Sequence, residues 1–444
     1  MSRFVRTALR AGLVAVLAAT SAQAQLLGGL GPLPLPIGPS IGHLPVVEPL
    51  LGGVIATPAG RQAIQPTLDS VSGLAPAIAE SGAATLEDIR LLRLQKLIRD
   101  NPALLEADKD GNPVRRGVLI AADPDPASLQ AALRVGFRVV AENVEPQLGL
   151  TVVELAAPAG TSARSAIKQL KKVAPALQAD FDPVFQPAGG ALYPAAGPIA
   201  GAFANANGRV IGMIDGGVAS HPSFRGASIE QNGFAGPPKA TGHGTAVASL
   251  LVGSQPDFHG AAQGARLYVA DVYGGSSAAG SASMIVKALA WLASKHAQVI
   301  NISLVGPPNW ILERSIQALQ RRGIQVVAAV GNDGPAAPPQ YPASYPGVVS
   351  VTAVDARGRA LPEAGKPVHL DFAAPGADMA AALPGKGFAK VRGTSFASPL
   401  VAARLLLAGS PQRLAPEAQP GRGRVGRGIV CGPCRIDPRT VGAK

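Results

Sequence analysis

The sequence predicts a mostly parallel α/β domain over residues 208–410, preceded by a small α+β unit over residues 115–187. Three observations carry this. After Arg209, short β-branched runs alternate with helical patterns, as a parallel sheet covered on both faces requires. Between Gly117 and Phe185 the pattern runs strand, helix, strand, strand, helix, strand, the split βαβ order of ferredoxin-like folds. A Gly/Ala/Pro-rich stretch, residues 188–207, separates the two and is the expected linker and maturation site.

Taken from the N-terminus, Arg3, Arg6 and Arg10 precede the apolar run Ala11–Ala19, and Ala22-Gln23-Ala24 offers a small-x-small cleavage site. Residues 1–24 therefore read as a signal peptide cut before Gln25, too short in its apolar part to span a bilayer. The expected location of the mature protein is outside the cytoplasm, in the periplasm or medium, without a membrane anchor. Residues 25–84 form a Gly/Pro/Leu-rich presegment. Leu86, Ile89 and Leu97 then recur at helical spacing, with Thr85 and Asp88 as a cap pair, so residues 85–108 hold a helix ending near Pro102 or Asp108.

In the α+β unit the strands are expected at Gly117–Ala122, Phe137–Ala141, Leu150–Leu155 and Phe181–Phe185, the helices at Pro126–Val135 and Ser162–Leu170. In the larger domain the strands are Val210–Ile214, Leu267–Val272, Val299–Leu304, Gln325–Val330 and Val348–Val354. Helical patterns cover His243–Leu251, Ser281–Lys295 and Trp310–Arg322. Ligand sites of such sheets lie beyond the carboxyl ends of the strands.

The net charge is +12, but part of the excess sits in the leader and in a Gly-rich stretch, Gly421–Gly428, with Arg422, Arg424 and Arg427. That basic tail, residues 411–444, reads as loose. With no aromatic interleaving and no nucleic-acid module, nucleic-acid binding is not expected.

Three segments carry chemistry. Asp215 ends the first strand in Ile211-Gly-Met-Ile-Asp-Gly-Gly, His243 opens a helix in Thr241-Gly-His-Gly-Thr, and Ser395 opens another in Gly393-Thr-Ser-Phe-Ala-Ser-Pro. Each alone is an ordinary cap or loop residue. Together, in this order, they resemble the subtilisin-like serine proteases (peptidase S8). Asn301-Ile-Ser-Leu-Val-Gly is similar to that family's substrate strand, and Val326-Val-Ala-Ala-Val-Gly-Asn-Asp-Gly to its oxyanion segment.

The resemblance implies a three-layer subtilisin-like fold and a serine endopeptidase acting through an acyl-enzyme on Ser395. His243 would serve as general base and acid, and Asp215 would orient it. It further implies Asn332 as an oxyanion donor beside the Ser395 backbone N–H, and Ser303, Leu304, Val305 and Gly306 as the strand that pairs with substrate. Val305 stands where the family usually has glycine, and a branched side chain there narrows the adjacent subsite. Gln340, before Tyr341-Pro-Ala-Ser-Tyr-Pro, stands where a small residue is common at the specificity pocket; the bland reading is an exposed loop glutamine. An uncharged side chain before the cut is the expected preference.

No cofactor is expected, and no obligatory metal, since Ala246–Gly253 runs on without an Asp/Asn-rich insert for calcium. Cys431 and Cys434, in Cys-Gly-Pro-Cys, lack the strand and helix of a redox unit and are expected to form a local disulfide. The resemblance also assigns residues 115–187 as a propeptide that assists folding and blocks the cleft. Expected partners are thus polypeptide substrates and the chain's own propeptide, on a monomer. Two other classes fit the same chain: a catalytically weak protease-fold protein that binds peptides, and a cell-envelope interaction protein using the presegment and tail.

Overall fold

The computed structural model describes residues 85–188, 192–193, 205–385 and 387–443. The signal peptide, the presegment and most of the predicted linker lie outside the described residues.

Helix α1 (Leu86–Asp100) starts with a complete capping box, Thr85 and Asp88 each bonding the other's backbone N–H. It stops at Asn101, and the chain that follows extends into strand β1 (Leu105–Ala107) rather than continuing helical to Asp108. Then come β2 (Pro113–Ala122), α2 (Pro126–Arg134), β3 (Arg138–Glu145), β4 (Leu150–Ala156), α3 (Ala163–Val173) and β5 (Ala179–Pro183). The strands form one antiparallel sheet in the order β1-β2-β4-β3, with β5 also on β2. Asp125 and Ser162 cap α2 and α3 through their side chains. Leu119, Phe137, Val153, Leu155 and Leu170 close a separate core between sheet and helices.

A short strand, β6 (Gln186–Pro187), leaves this unit, and β7 (Leu192–Tyr193) follows. The larger domain then begins with β8 (Val210–Asp215) and β9 (Ser228–Gly233), helix α4 (Gly242–Val252), the small hairpin β10 (Ser254–Gln255) and β11 (Phe258–His259), and β12 (Arg266–Asp271). Next are α5 (Ala282–Ser294), β13 (Val299–Ile302), β14 (Leu304–Val305), α6 (Trp310–Arg321), β15 (Gln325–Ala329) and β16 (Val349–Val354). Strands β17 (Phe372–Pro375), β18 (Met379–Ala382) and β19 (Phe388–Val391) and helix α7 (Thr394–Ala408) complete it.

Seven strands make a wholly parallel sheet, β17-β16-β15-β13-β8-β12-β9. The inner strands are buried on both sides, which is why they read as unbroken apolar runs. Edge strand β9, Ser-Ile-Glu-Gln-Asn-Gly, has no such run and was not legible as a strand. Helices α4 and α7 pack on one another, as do α5 and α6.

The tail is not loose. Its Gly428 carbonyl and Val430 N–H bond the backbone of Ala373, so residues 428–430 cover the open edge of β17. Ile429, Val430 and Ile436 are buried there, and Cys431 and Cys434 form a disulfide. Glycine-rich composition concealed an edge pairing that needs backbone rather than side chains. Among the described residues no helix is long and apolar enough to cross a membrane.

Candidate active site

Asp215 is the last residue of β8, where the parallel sheet delivers its carboxylate to the carboxyl edge. It is 1% exposed, and its Oδ1 accepts the Gly216 N–H at 2.7 Å. His243 is the second residue of α4, whose N-cap Thr241 accepts the Gly244 N–H at 2.9 Å. Two glycines let this helix start come so close to the strand end. A Cβ on Gly244 would lie 2.2 Å from the Gly216 carbonyl oxygen, and one on Gly216 would lie 2.4 Å from Thr241 Oγ1.

That approach sets the imidazole between two partners. His243 Nδ1 donates to Asp215 Oδ1 at 2.9 Å, which leaves Nε2 as the acceptor for the Ser395 hydroxyl, also at 2.9 Å. The buried carboxylate thereby selects the tautomer able to take the serine proton, and favours the imidazolium once formed.

Ser395 is the second residue of α7 and has no solvent exposure. A detail of this helix explains how the serine is held. The Ser395 carbonyl would ordinarily accept the N–H four residues on, but position 399 is proline, which has none. Ser303 Oγ donates to that carbonyl instead, at 3.0 Å. Asn301 Nδ2 donates to Ser303 Oγ at 3.0 Å, and Ser398 Oγ donates to Asn301 Oδ1 at 2.7 Å, all fully buried. This network joins the end of β13 to the first turn of α7. Asn301 and Ser398 were not singled out from sequence; the signal available was the proline four residues after the serine.

Asn332 follows β15 with its amide held at both ends. Its Oδ1 accepts the Thr394 N–H at 3.0 Å, and its Nδ2 donates to the carbonyl of Ala188. Ala188 belongs to the chain leaving the N-terminal unit. Phe185 N–H bonds the Gly280 carbonyl at 2.9 Å, β6 pairs antiparallel with β14, and Ala188 N–H bonds the Ser303 carbonyl at 2.9 Å. Residues 185–188 thus lie as an added strand between the Gly280 segment and residues 303–305. Phe185 packs directly over Gly306, where a Cβ would lie 2.7 Å from its ring.

Gln340 is 8% exposed, with its Nε2 bonded to the Pro338 carbonyl at 2.9 Å, so it is a buried residue and not a solvated loop glutamine. Val305 is also buried, and it packs against Ala188 and Ala329.

The arrangement is suited to acyl transfer: a hydroxyl hydrogen-bonded to a base, the base hydrogen-bonded to a buried carboxylate, and an amide donor on the carbonyl of a chain laid along the adjacent strand. Residues 206–418 match the family model described as Subtilase family, peptidase S8. Subtilisin Savinase of Lederbergia lenta is 34% identical over 197 residues, covering 43% of this chain and 72% of that protein. An alkaline protease of Alkalihalobacillus alcalophilus is 34% identical over 197 residues as well, but the match spans only 51% of its length. Fervidolysin from Fervidobacterium pennivorans, a keratinolytic enzyme related to subtilisin, shares the fold with a TM-score of 0.63 at 18% identity, over 77% of this chain and 63% of that one. With the Asp215–His243–Ser395 relay assembled on this sheet and relatives of this extent, the chain belongs to the subtilase family and is a serine endopeptidase.

Proposed function

We propose that the chain is the precursor of an exported endopeptidase, and that it matures by cutting its own Ala188–Gly189 bond. The observation that carries this is the Ala188 carbonyl on the Asn332 amide, with residues 185–188 hydrogen-bonded along the Ser303–Gly306 strand. Strand addition of this kind binds the backbone whatever the side chains, so the same cleft accepts other polypeptides.

In this reading Ser395 Oγ attacks the Ala188 carbonyl carbon while His243 Nε2 takes the hydroxyl proton. The charge that develops on the Ala188 oxygen is met by donation from Asn332 Nδ2–H and from the Ser395 N–H, which in the first turn of a helix has no intrahelical acceptor. Collapse expels the Gly189 amine, which receives its proton from His243. Water, deprotonated by the same imidazole, then releases Ala188 as a carboxylate.

Residues 85–188 act in this reading as the restraint on the cleft. Asp182, fully buried, accepts from Ser283 N–H at 2.9 Å and Ser283 Oγ at 2.7 Å, and from Arg115 at 2.8 Å. It serves as the cap that Ser281 does not provide for α5. Replacing Asp182 by alanine removes these bonds and leaves Arg115 short of a partner. The expected cost is about 1–3 kcal/mol, read as roughly 5- to 150-fold weaker inhibition of the mature enzyme by its own prosegment.

Helix α1 extends the restraint beyond residues 115–187, because Arg93 pairs with Asp333 at 2.7 Å, beside Asn332. Asp180 adds a pH dependence. Its carboxylate accepts from the Asn309 side chain and the Trp310 N–H at the start of α6, yet burial pushes its pKa up from 3.8 to about 6, with Asp182 acting in the same direction and Lys171 against it. An acid whose pKa is higher when docked than when free favours docking most fully below the free value, and that contribution is lost as pH rises through about 6. The cut prosegment should therefore co-elute with the enzyme more completely at pH 4 than at pH 7. Asp180→Asn, which keeps the acceptor and removes the charge, should flatten that difference; an unchanged pH profile would refute the assignment.

The test of the proposal as a whole is incubation of the exported chain beside Ser395→Ala. Wild type should release a fragment and label with a fluorophosphonate, and the variant should do neither. Two unlabelled, full-length proteins would sink it.

A further inference from the structure

The residue before the cut is enclosed more tightly than a preference for uncharged side chains alone requires. We propose that Val305 and Gln340 close this pocket, so that the enzyme cleaves after alanine-sized residues and rejects larger ones. The inference rests on the endopeptidase reading above, with Ala188 as the residue whose carbonyl is attacked.

Two bonds fix where that residue's side chain must point. The Ala188 N–H is held by the Ser303 carbonyl and the Ala188 carbonyl by the Asn332 amide, so its Cβ has one direction left, into the gap between the chain at 304–306 and the chain at 329–331. There it meets Val305 and Ala329, and Ala188 is left only 2% exposed. Its methyl group is almost entirely out of water.

Beyond it the gap is bridged. Gly331, at φ +91°, presents a bare Cα, yet a Cβ built on it would lie 3.5 Å from Val305 Cγ1 and 3.4 Å from Gln340 Cγ, ordinary van der Waals contact. The valine and the glutamine therefore reach from one wall to within one carbon's depth of the other. Neither is poised to swing clear. Val305 is 6% exposed with a β-branched side chain confined in χ1, and the Gln340 amide is tied to the Pro338 carbonyl. A leucine or phenylalanine before the cut would have to displace one of them or lift its own carbonyl off Asn332.

The enclosure is local. Three residues upstream, Phe185 is fully buried over the bare backbone of Gly306, so the same cleft takes an aromatic ring where no side chain intrudes. Substrates should thus combine a large apolar residue at that position with a small one at the cut.

The test uses the full chain after incubation, with peptides containing Phe-Gln-Pro-Xaa-Gly, where Xaa is Ala, Leu, Phe or Lys, and mass-spectrometric rates as the readout. Wild type should favour Ala over Phe by about 100-fold in kcat/KM, the scale of overpacking a filled pocket. Val305→Gly and Gln340→Gly should each shrink that ratio by about 10-fold or more. Should Val305→Gly fail to fold, the wild-type ratio and Gln340→Gly still decide. Wild-type cleavage after Phe or Leu within about 3-fold of Ala overturns the pocket assignment while leaving the endopeptidase intact. An alanine preference that neither variant alters overturns the roles of these two residues. Absence of all hydrolysis together with absence of fluorophosphonate labelling overturns the underlying reading, and this one with it.

Discussion

Replacing Ser395 by alanine is expected to lower kcat on an unfolded protein by about 10⁶-fold, the scale measured for the triad serine of subtilisin itself rather than derived from this structure. The reason is that three groups act as one. Ser395 Oγ is a nucleophile only while His243 Nε2 accepts its proton at 2.9 Å, and Nε2 is an acceptor only while Asp215 holds the proton on Nδ1. His243→Ala should therefore cost about as much, and the double variant little more. What remains, about 10³- to 10⁴-fold over water, would come from the oxyanion donors and from binding along Ser303–Gly306. Turnover assays with active-site titration check this. Single variants whose losses multiply would contradict a concerted site.

The next largest effect is expected at Asn332. Substitution by leucine keeps the volume but removes the amide that reaches the Ala188 carbonyl, and kcat should fall by about 10²- to 10³-fold, again a scale taken from subtilisin. KM should stay within about 3-fold, because the backbone ladder to residues 303–305 is untouched and the donor matters most when the oxygen carries charge. The Asn332 Oδ1 anchor on Thr394 N–H is lost too. If that loss mainly loosened the loop, KM and the melting temperature would move along with kcat. A fall in kcat alone distinguishes the oxyanion role.

Much of this site is legible in the sequence, for a physical reason. Asp215 and His243 sit where chain segments approach closely, and close approach demands glycine, so each comes with adjacent glycines in a compact motif, while Ser395 follows Gly393, whose φ of +137° suits glycine. Parallel strands buried on both faces likewise announce themselves as apolar runs. What stayed hidden depends on backbone or on distance along the chain. Ala188 lies in a stretch of Ala, Gly and Pro that reads as linker, because its role is made by its carbonyl and N–H and by the smallness of its side chain. The edge pairing of residues 428–430 likewise uses backbone groups, in a stretch whose glycines and arginines mask the short Ile429-Val430 run. For α1, capping and periodicity indicate the helix, but the contact of Arg93 with Asp333 joins positions 240 residues apart, which no local pattern encodes.

The same distinction applies to the proposed substrate pocket. Val305 and Gln340 stood out as departures, but only the seated Ala188 side chain indicates what they leave room for. It also bears on the proposed restraint: residues 85–188 contact the larger domain through residues 185–188, through Asp180 and Asp182 at two helix starts, and through the Arg93–Asp333 pair of α1. On the proposed reading, stability of the precursor and inhibition of the enzyme would draw on the same contacts.

If the Asp215–His243–Ser395 relay acts on the bond its own chain presents, the fragment released on incubation carries the record of that cut, and its mass decides the matter. Wild type should yield a fragment whose last residue is Ala188, and Ser395→Ala should yield none. A fragment ending elsewhere, or one formed equally by the alanine variant, would show that the seated strand is not the bond the relay cleaves.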